Sequence, residues 1–448
     1  MKEHNESTVR RRYARLPLAL ALGAMVLTPA VIGAGASDAE ANVGTKGETS
    51  ISITGNARVM GYATNNDNFD DTTAGQEDED RRMRHRLRLM LDGQLAGGTS
   101  FHSRLNIAGW DTWGDANDNQ TGQTDVNWLY FKVPLAYDIT TIAGRQRIDY
   151  GHKMRTYDSR SDRLTFVKQI NDELKLLAYY AKTYEDSVDY NVAGADNDDG
   201  NDQDDSSYAI GGEYDAGALK GGFRLVHLDD KRGANHTSVN NVTPLNGDGQ
   251  FVSAYGTYKA GDLTFKGEVD FRRGDRYENA DNDDQYATYF GADYKMGDTT
   301  FSGGFAAAMN GYTGDNDFDG ISLFYDRGDG AGLGHSNFGA LANGNIPTNA
   351  NAGAGEGDSE YAIGAEVNHQ YSPKLSVRGG MAYISAEDTN NNEIDVAVLD
   401  AGISYKINGS TAYKIDGIYG SPDIDDAIGS NHAEDAYWGV SHRFEIKF

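Results

Sequence analysis

The feature that most constrains this chain is a two-residue alternation that returns along its length. From Arg81 to Leu95 the odd positions Met83, Leu87, Leu89 and Leu91 are apolar, while Arg82, Arg84, Arg86, Arg88, Asp92 and Gln94 fill the even ones. A helix would scatter those arginines around its circumference, whereas a strand places them on one face. The same period runs through Leu263, Phe265, Gly267, Val269 and Phe271, and it closes the chain at Trp438, Val440, His442, Phe444, Ile446 and Phe448.

The alternation predicts strands over 49–64, 81–95, 99–113, 125–135, 138–148, 162–170, 173–185, 206–216, 218–228, 250–259, 262–273, 285–295, 298–310, 359–371, 374–386, 393–407, 410–420 and 435–448. That makes about 18 strands, or 16 if boundary errors have split two of them. Their connectors alternate between short and long. The short ones carry turn residues, as at Ala96-Gly97-Gly98, Ala260-Gly261-Asp262, Ser372-Pro373 and Asn408-Gly409. The long ones are acidic: residues 186–205 contain eight Asp and no Lys or Arg. An even set of antiparallel strands, with short turns at one end and long loops at the other, is an all-β transmembrane antiparallel β-barrel, with short periplasmic turns and long acidic extracellular loops. The repeat of same-face tyrosines, Tyr286 with Tyr294 and Tyr361 with Tyr371, fits two aromatic girdles.

Composition agrees. Gly numbers 55 of 448 residues and Tyr (27) outnumbers Phe (16), a balance that favours strands and turns over helices. A mean hydropathy of −0.61 rules out a bundle of membrane helices but not a barrel, whose strands are only half apolar. With no Cys there are no disulfides, thiolate metal sites or Cys nucleophiles, and any haem would belong to a partner. A net charge of −28 argues against nucleic acid as a partner.

Residues 1–36 read as a signal peptide: Lys2, Arg10, Arg11, Arg12 and Arg15 precede an apolar stretch from Leu16 to Ile32. Cleavage fits after Ala36, or alternatively after Ala41. Cleavage after Ala36 removes five basic and two acidic residues, which takes the charge from −28 to −31. Residues 37–48 then form a short periplasmic segment, and 49–448 the barrel.

Two stretches carry a resemblance. Tyr437 to Phe448, alternating and ending in Phe, resembles the terminal strand of Gram-negative outer-membrane proteins. Ala143-Gly144-Arg145-Gln146-Arg147, followed by Asp149-Tyr150-Gly151, is similar to the strand that leads into the inward-folded third loop of the porin superfamily. The resemblance implies residence in the bacterial outer membrane, with Phe448 as the signal read by the barrel-assembly machinery, and it leaves both a monomer and a homotrimer open as the assembly. It also implies a water-filled channel for passive diffusion of small hydrophilic solutes and ions. Eighteen strands lie nearer the substrate-selective channels than the sixteen-stranded general porins. The rival readings are such a selective channel and, in another class, a structural sheath around an electron conduit.

Lipid-facing positions must be apolar, so the charged parity of each strand faces the lumen. The expected pore-lining and selectivity residues are Arg82, Arg84, Arg86, Arg88, Arg104, Arg145, Arg147 and Arg163, with Arg58 and Lys132 on the same wall. Later strands mix signs. No catalytic motif is present, neither a Gly-x-Ser-x-Gly elbow nor a His-x-x-x-His pair, and the chain reads as a non-enzyme without a cofactor. One loop, Asp315-Asn316-Asp317-Phe318-Asp319-Gly320 with Asp326 beyond, has the spacing of a Ca²⁺ loop, so Asp315, Asp317, Asp319 and Asp326 are candidate ligands.

Overall fold

The computed structural model describes residues 41–46, 49–65, 79–113, 124–154, 156–184, 205–230, 249–274, 284–310, 312, 359–387, 393–424 and 436–448. These residues form strands β1 (Ala41–Lys46), β2 (Thr49–Asn65), β3 (Glu79–Gln94), β4 (Ser100–Thr112), β5 (Asp125–Pro134), β6 (Ile139–Tyr150) and β7 (Thr156–Gln169). There follow β8 (Leu174–Tyr184), β9 (Asp205–Asp215), β10 (Leu219–Asp230), β11 (Gly249–Ala260), β12 (Leu263–Gly274) and β13 (Gln285–Met296). The chain ends with β14 (Thr299–Met309), β15 (Ser359–Gln370), β16 (Leu375–Glu387), β17 (Glu393–Lys406), β18 (Thr411–Ile424) and β19 (Tyr437–Lys447). The only helical turn among the described residues is Ala96–Gly98. Each strand from β2 to β19 pairs antiparallel with the next, and β19 pairs back onto β2 from Trp438↔Asn65 to Lys447↔Asn56, closing an 18-strand barrel. All eighteen segments expected from the alternation are present.

Burial within one strand shows why the alternation was so clear. On β12, Phe265 and Val269 are 47% and 50% exposed, whereas Glu268 and Asp270 between and beside them are 1% and 3% exposed. Apolar side chains face outward and charged ones inward. This inverts a soluble fold and suits a surround of lipid, since strands closed into a ring satisfy one another's backbone groups. Tyr286, Phe290 and Tyr294 on β13 and Leu399 and Ile403 on β17 repeat the outward pattern.

Two places depart from the expected outline. Residues 41–46, which fall in the expected periplasmic segment 37–48 ahead of the first expected strand, form β1, which pairs with Thr49–Ile53 of β2. The physical reason is the end of β19. Its last ladder partner on β2 is Asn56, and Phe448 just beyond bonds Gly55 both ways (2.5 and 3.1 Å), so the β2 edge below Gly55 would be bare without β1. The Phe448 ring lies over Gly55, where an added Cβ would come within 2.3 Å of it. Residues 149–161, expected between strands as the inward-folded third loop, are largely strand, with β6 running to Tyr150 and β7 starting at Thr156. Alternation is weak there because, as shown below, this hairpin leaves the barrel wall and needs no lipid-facing side.

Candidate functional site

The wall releases a hairpin at Gly144. Pairing of β6 to β5 stops at Leu129↔Arg145, and pairing of β7 to β8 stops at Asp162↔Lys182. Beyond those points β6 and β7 pair only with each other, from Gln146↔Ser161 to Tyr150↔Thr156. Gly144 has φ +119°, and a Cβ there would stand 2.4 Å from the Leu129 carbonyl oxygen, so glycine is required where the strand leaves its neighbour. Gln146 fixes the root. Its Nε2 donates to the carbonyls of Ile142 (2.9 Å) and Arg163 (2.8 Å), while its Oε1 accepts from Thr165 Oγ1 at 3.0 Å.

The tip passes β8, β9 and β10 and docks on the inner face of β11–β13. Tyr150 donates its hydroxyl to the Ser253 carbonyl (3.0 Å), the His152 backbone N–H donates to Glu268 Oε2 (2.5 Å), and His152 Nε2 bonds the Gly256 carbonyl at 2.9 Å. Gly151 sits over Glu268 with φ +64°, and a Cβ would approach that carboxylate within 2.5 Å. Met154 is fully buried in an apolar cluster with Phe251, Ala287 and Tyr289. The small inward residues Ala306, Ala308, Ala362 and Ala382 extend this cluster round the same wall.

The expected arginines fall into three groups. Arg84, Arg86 and Arg88 share the inner face of β3, and Arg82 lies exposed at its long-loop end. Arg84 stands 5.3 Å from the Tyr62 ring, and Arg88 Nε donates to Asn106 Oδ1 at 3.0 Å. A second group gathers on Trp128: Arg104 stacks 3.5 Å above its ring and bonds Asn127 Oδ1, and Arg147, carried in by the hairpin, stands 5.9 Å from the same ring. Arg147 also pairs with Asp149 at 2.7 Å. Arg163 lies 4.0 Å over Tyr179 and bonds Ser161.

Arg145 is the exception and corrects the expectation. It lies opposite Leu129 on β5 and Asp162 on β7, in the parity of Ala143, which faces the outward Phe131 and Leu164. Directly opposed residues of an antiparallel pair share a face, so Arg145 is on the outside, paired with Asp162 at 3.3 Å. Arg147 has the same parity but sits past the point where the hairpin turns inward.

Barrel closure supplies what reading along the chain missed. Register aligns Arg443 of β19 with Met60 and Arg84, and Glu445 with Arg58 and Arg86, so a basic arc runs across β19, β2, β3 and β4. Arg58 pairs with Glu445 at 3.0 Å. Around the rest of the wall, inward cations meet acids: Lys175–Glu213 (2.5 Å), Lys220–Asp215 (2.9 Å), Lys266–Asp293 (2.7 Å), and Arg378 with Glu366 (3.6 Å) and Asp416 (3.1 Å). Asp315, Asp317, Asp319 and Asp326 lie outside the described residues, as does the signal segment 1–36.

No protein-family model matches this chain, and no curated protein matches it in sequence. Solved structures match its fold. The outer membrane protein OprD from Pseudomonas aeruginosa aligns over 88% of this chain and 93% of its own, at 11% identity and a TM-score of 0.51. OccK3 of Pseudomonas aeruginosa aligns over 88% and 95%, at 11% identity and a TM-score of 0.50. A BenF-like porin from Pseudomonas fluorescens Pf-5 aligns over 89% and 98%, at 11% identity and a TM-score of 0.50. At such identity the likeness is one of fold, and the fold is that of Gram-negative outer-membrane barrels.

Proposed function

We infer that this protein is a porin of the bacterial outer membrane, a water-filled channel through which small hydrophilic solutes and ions diffuse passively. The observation that carries this reading is the β6–β7 hairpin, which leaves the wall at Gly144 and docks on Glu268, narrowing the lumen beside a basic arc. Charges in a narrow, low-dielectric passage are screened less than exposed loop charges, so the arginines set selectivity at high salt. The channel prefers anions, including the carboxylates of small solutes, with Arg84, Arg86, Arg88, Arg104, Arg147 and Arg163 lining the path. Planar-bilayer reversal potentials in asymmetric salt test this, and cation preference at molar salt would overturn it.

A substrate-selective channel is the second reading, favoured by the two guanidiniums on Trp128. Saturable block of conductance by one small carboxylate would distinguish it from a general pore. Several parts of the reading rest on the sequence: removal of residues 1–36 or 1–41, recognition of Phe448 by the assembly machinery, a homotrimer, and Ca²⁺ on Asp315, Asp317, Asp319 and Asp326. Titration calorimetry of Ca²⁺ into the refolded barrel tests the last of these, and heats unchanged in an Asp317→Ala, Asp319→Ala variant would dismiss it.

A further inference from the structure

On the inner face of β3 and β4, beside their short turn, three side chains form a hydrogen-bonded chain that the channel reading does not use. Register sets Asp92 opposite His102, and the two-residue repeat of a strand puts Ser100 and His102 on one face. His102 Nδ1 lies 2.5 Å from Asp92 Oδ1, and His102 Nε2 lies 3.1 Å from Ser100 Oγ. An ionised carboxylate only accepts, so in the neutral ring the proton sits on Nδ1 and the lone pair of Nε2 faces the serine hydroxyl. A base within hydrogen-bond reach of a hydroxyl, itself oriented by a third group, is the arrangement that activates a serine nucleophile.

The surroundings complete the site. Tyr130 stacks on the His102 ring, centroids 5.0 Å apart and planes at 23°, which fixes the imidazole plane. Lys132 stands directly opposite Ser100 across the β4–β5 pair, on the same face, with its Nζ 5.8 Å from the Tyr130 ring. A cation there is placed to hold the anionic group of a substrate. Ser100 itself is 5% exposed and the His102 side chain 17%, and solvent reaches the chain through Asp92, 47% exposed on its side chain. The same exposure screens its charge, and turnover should be slow compared with a triad held in a dry pocket.

We propose that Ser100 is an activated nucleophile and that this end of the lumen hydrolyses small carboxylic esters that carry an anionic group. Ser100 Oγ bonds to the ester carbonyl carbon as its proton passes to His102 Nε2. The ester C–O bond then breaks, and the departing alcohol takes that proton from His102. Water attacks the acyl-serine, gives its proton to His102, and the Ser100 oxygen recovers it as the carboxylic acid leaves. Lys132 receives the anion of the substrate.

The test uses the full folded barrel in detergent, with channel conductance as the control for folding. A fluorophosphonate probe should modify Ser100, located by peptide mass spectrometry. The rate should fall about 100-fold in His102→Ala, the scale of general-base assistance. His102→Gln, which keeps a hydrogen-bonding side chain but no base, should lose reactivity equally. Hydrolysis of para-acetoxybenzoate should vanish in Ser100→Ala, and Lys132→Gln should raise its KM at least threefold while leaving that of neutral phenyl acetate unchanged. A conducting barrel whose Ser100 is unlabelled, or is labelled equally fast in His102→Gln, would show that the three residues only tie β3 to β4 and would overturn the proposal. Neither result bears on whether the barrel conducts, so this inference and the channel reading fail separately.

Discussion

Two arcs of the same inner wall treat charge differently. Across β19, β2, β3 and β4, register stacks Arg443, Arg58, Arg84, Arg86, Arg88 and Arg104, with Glu445 as the acid bonded to Arg58. From β8 round to β18 the inward cations Lys175, Lys220, Lys266 and Arg378 each meet a carboxylate within 4 Å. Both arcs obey the same inward parity, so strand geometry alone does not separate them. The density of like charge does: six arginines gather on the first arc, while each named cation of the second faces an acid across a strand pair. A paired arc presents little net field to a passing ion, whereas an arc crowded with arginines presents a field that the lumen's low-dielectric walls preserve. The hairpin joins the two, because its tip rests on Glu268 in the mixed arc while its flank carries Arg147 to Trp128 beside the basic one.

Cutting that link should have the largest effect. Gly151→Ala puts an L-residue at φ +64° and a Cβ against Glu268, which costs about 1–2 kcal/mol and populates undocked hairpin states. Single-channel records should then show higher mean conductance and more open-channel noise. A record identical to wild type would mean that the tip does not limit the passage.

Neutralising the basic arc comes next. Replacing Arg84 and Arg86 with Ser should lower the anion-to-cation permeability ratio roughly threefold at every salt concentration, on the scale of two partly screened charges. No movement of the reversal potential would place these side chains off the conducting path.

A smaller shift of opposite sign is expected on the paired arc. Glu213→Gln leaves Lys175 without its carboxylate and should raise anion preference by less than about twofold, one charge instead of two. A shift as large as that of the double arginine variant would erase the distinction between the arcs.

The mildest effect concerns the medium. Acidic stretches such as residues 186–205 act only over the Debye length, about 10 Å at 0.1 M salt, so anion preference should weaken as salt is lowered and their reach grows. Wild-type reversal potentials measured from molar to millimolar KCl would show it, and a selectivity constant across that range would assign the loops no part.

Much of this molecule was legible because a barrel wall is a repetitive object. Each strand must be apolar on one side for lipid and free to be polar on the other, so Met83, Leu87 and Leu89 against Arg84, Arg86 and Arg88 announce both strand and facing. The β1 strand was not visible: Ala41–Lys46 has no strong alternation, and its reason to pair is the edge that β19 leaves below Gly55. Arg145 was misplaced for a related reason. A charged residue in an inward-looking run is assigned to the lumen by pattern, but its parity was set by Leu129 and Asp162 on neighbouring strands.

The sequence by itself therefore determined the positions of the eighteen wall segments, the inward and outward parity of the regular wall, and the turn at each short connector, while the choice between 16 and 18 strands waited for closure of the barrel. Those depend on local spacing and on the contrast between lipid and water. Only the tertiary structure decided which charges meet. Arg443 joins Arg84 across closure of the barrel, Glu268 receives the tip of a hairpin more than a hundred residues away in sequence, and Asp92, His102 and Ser100 align through the register of two strands. Such contacts depend on register and closure, which are properties of the whole ring of strands and leave no mark at fixed spacing along the chain.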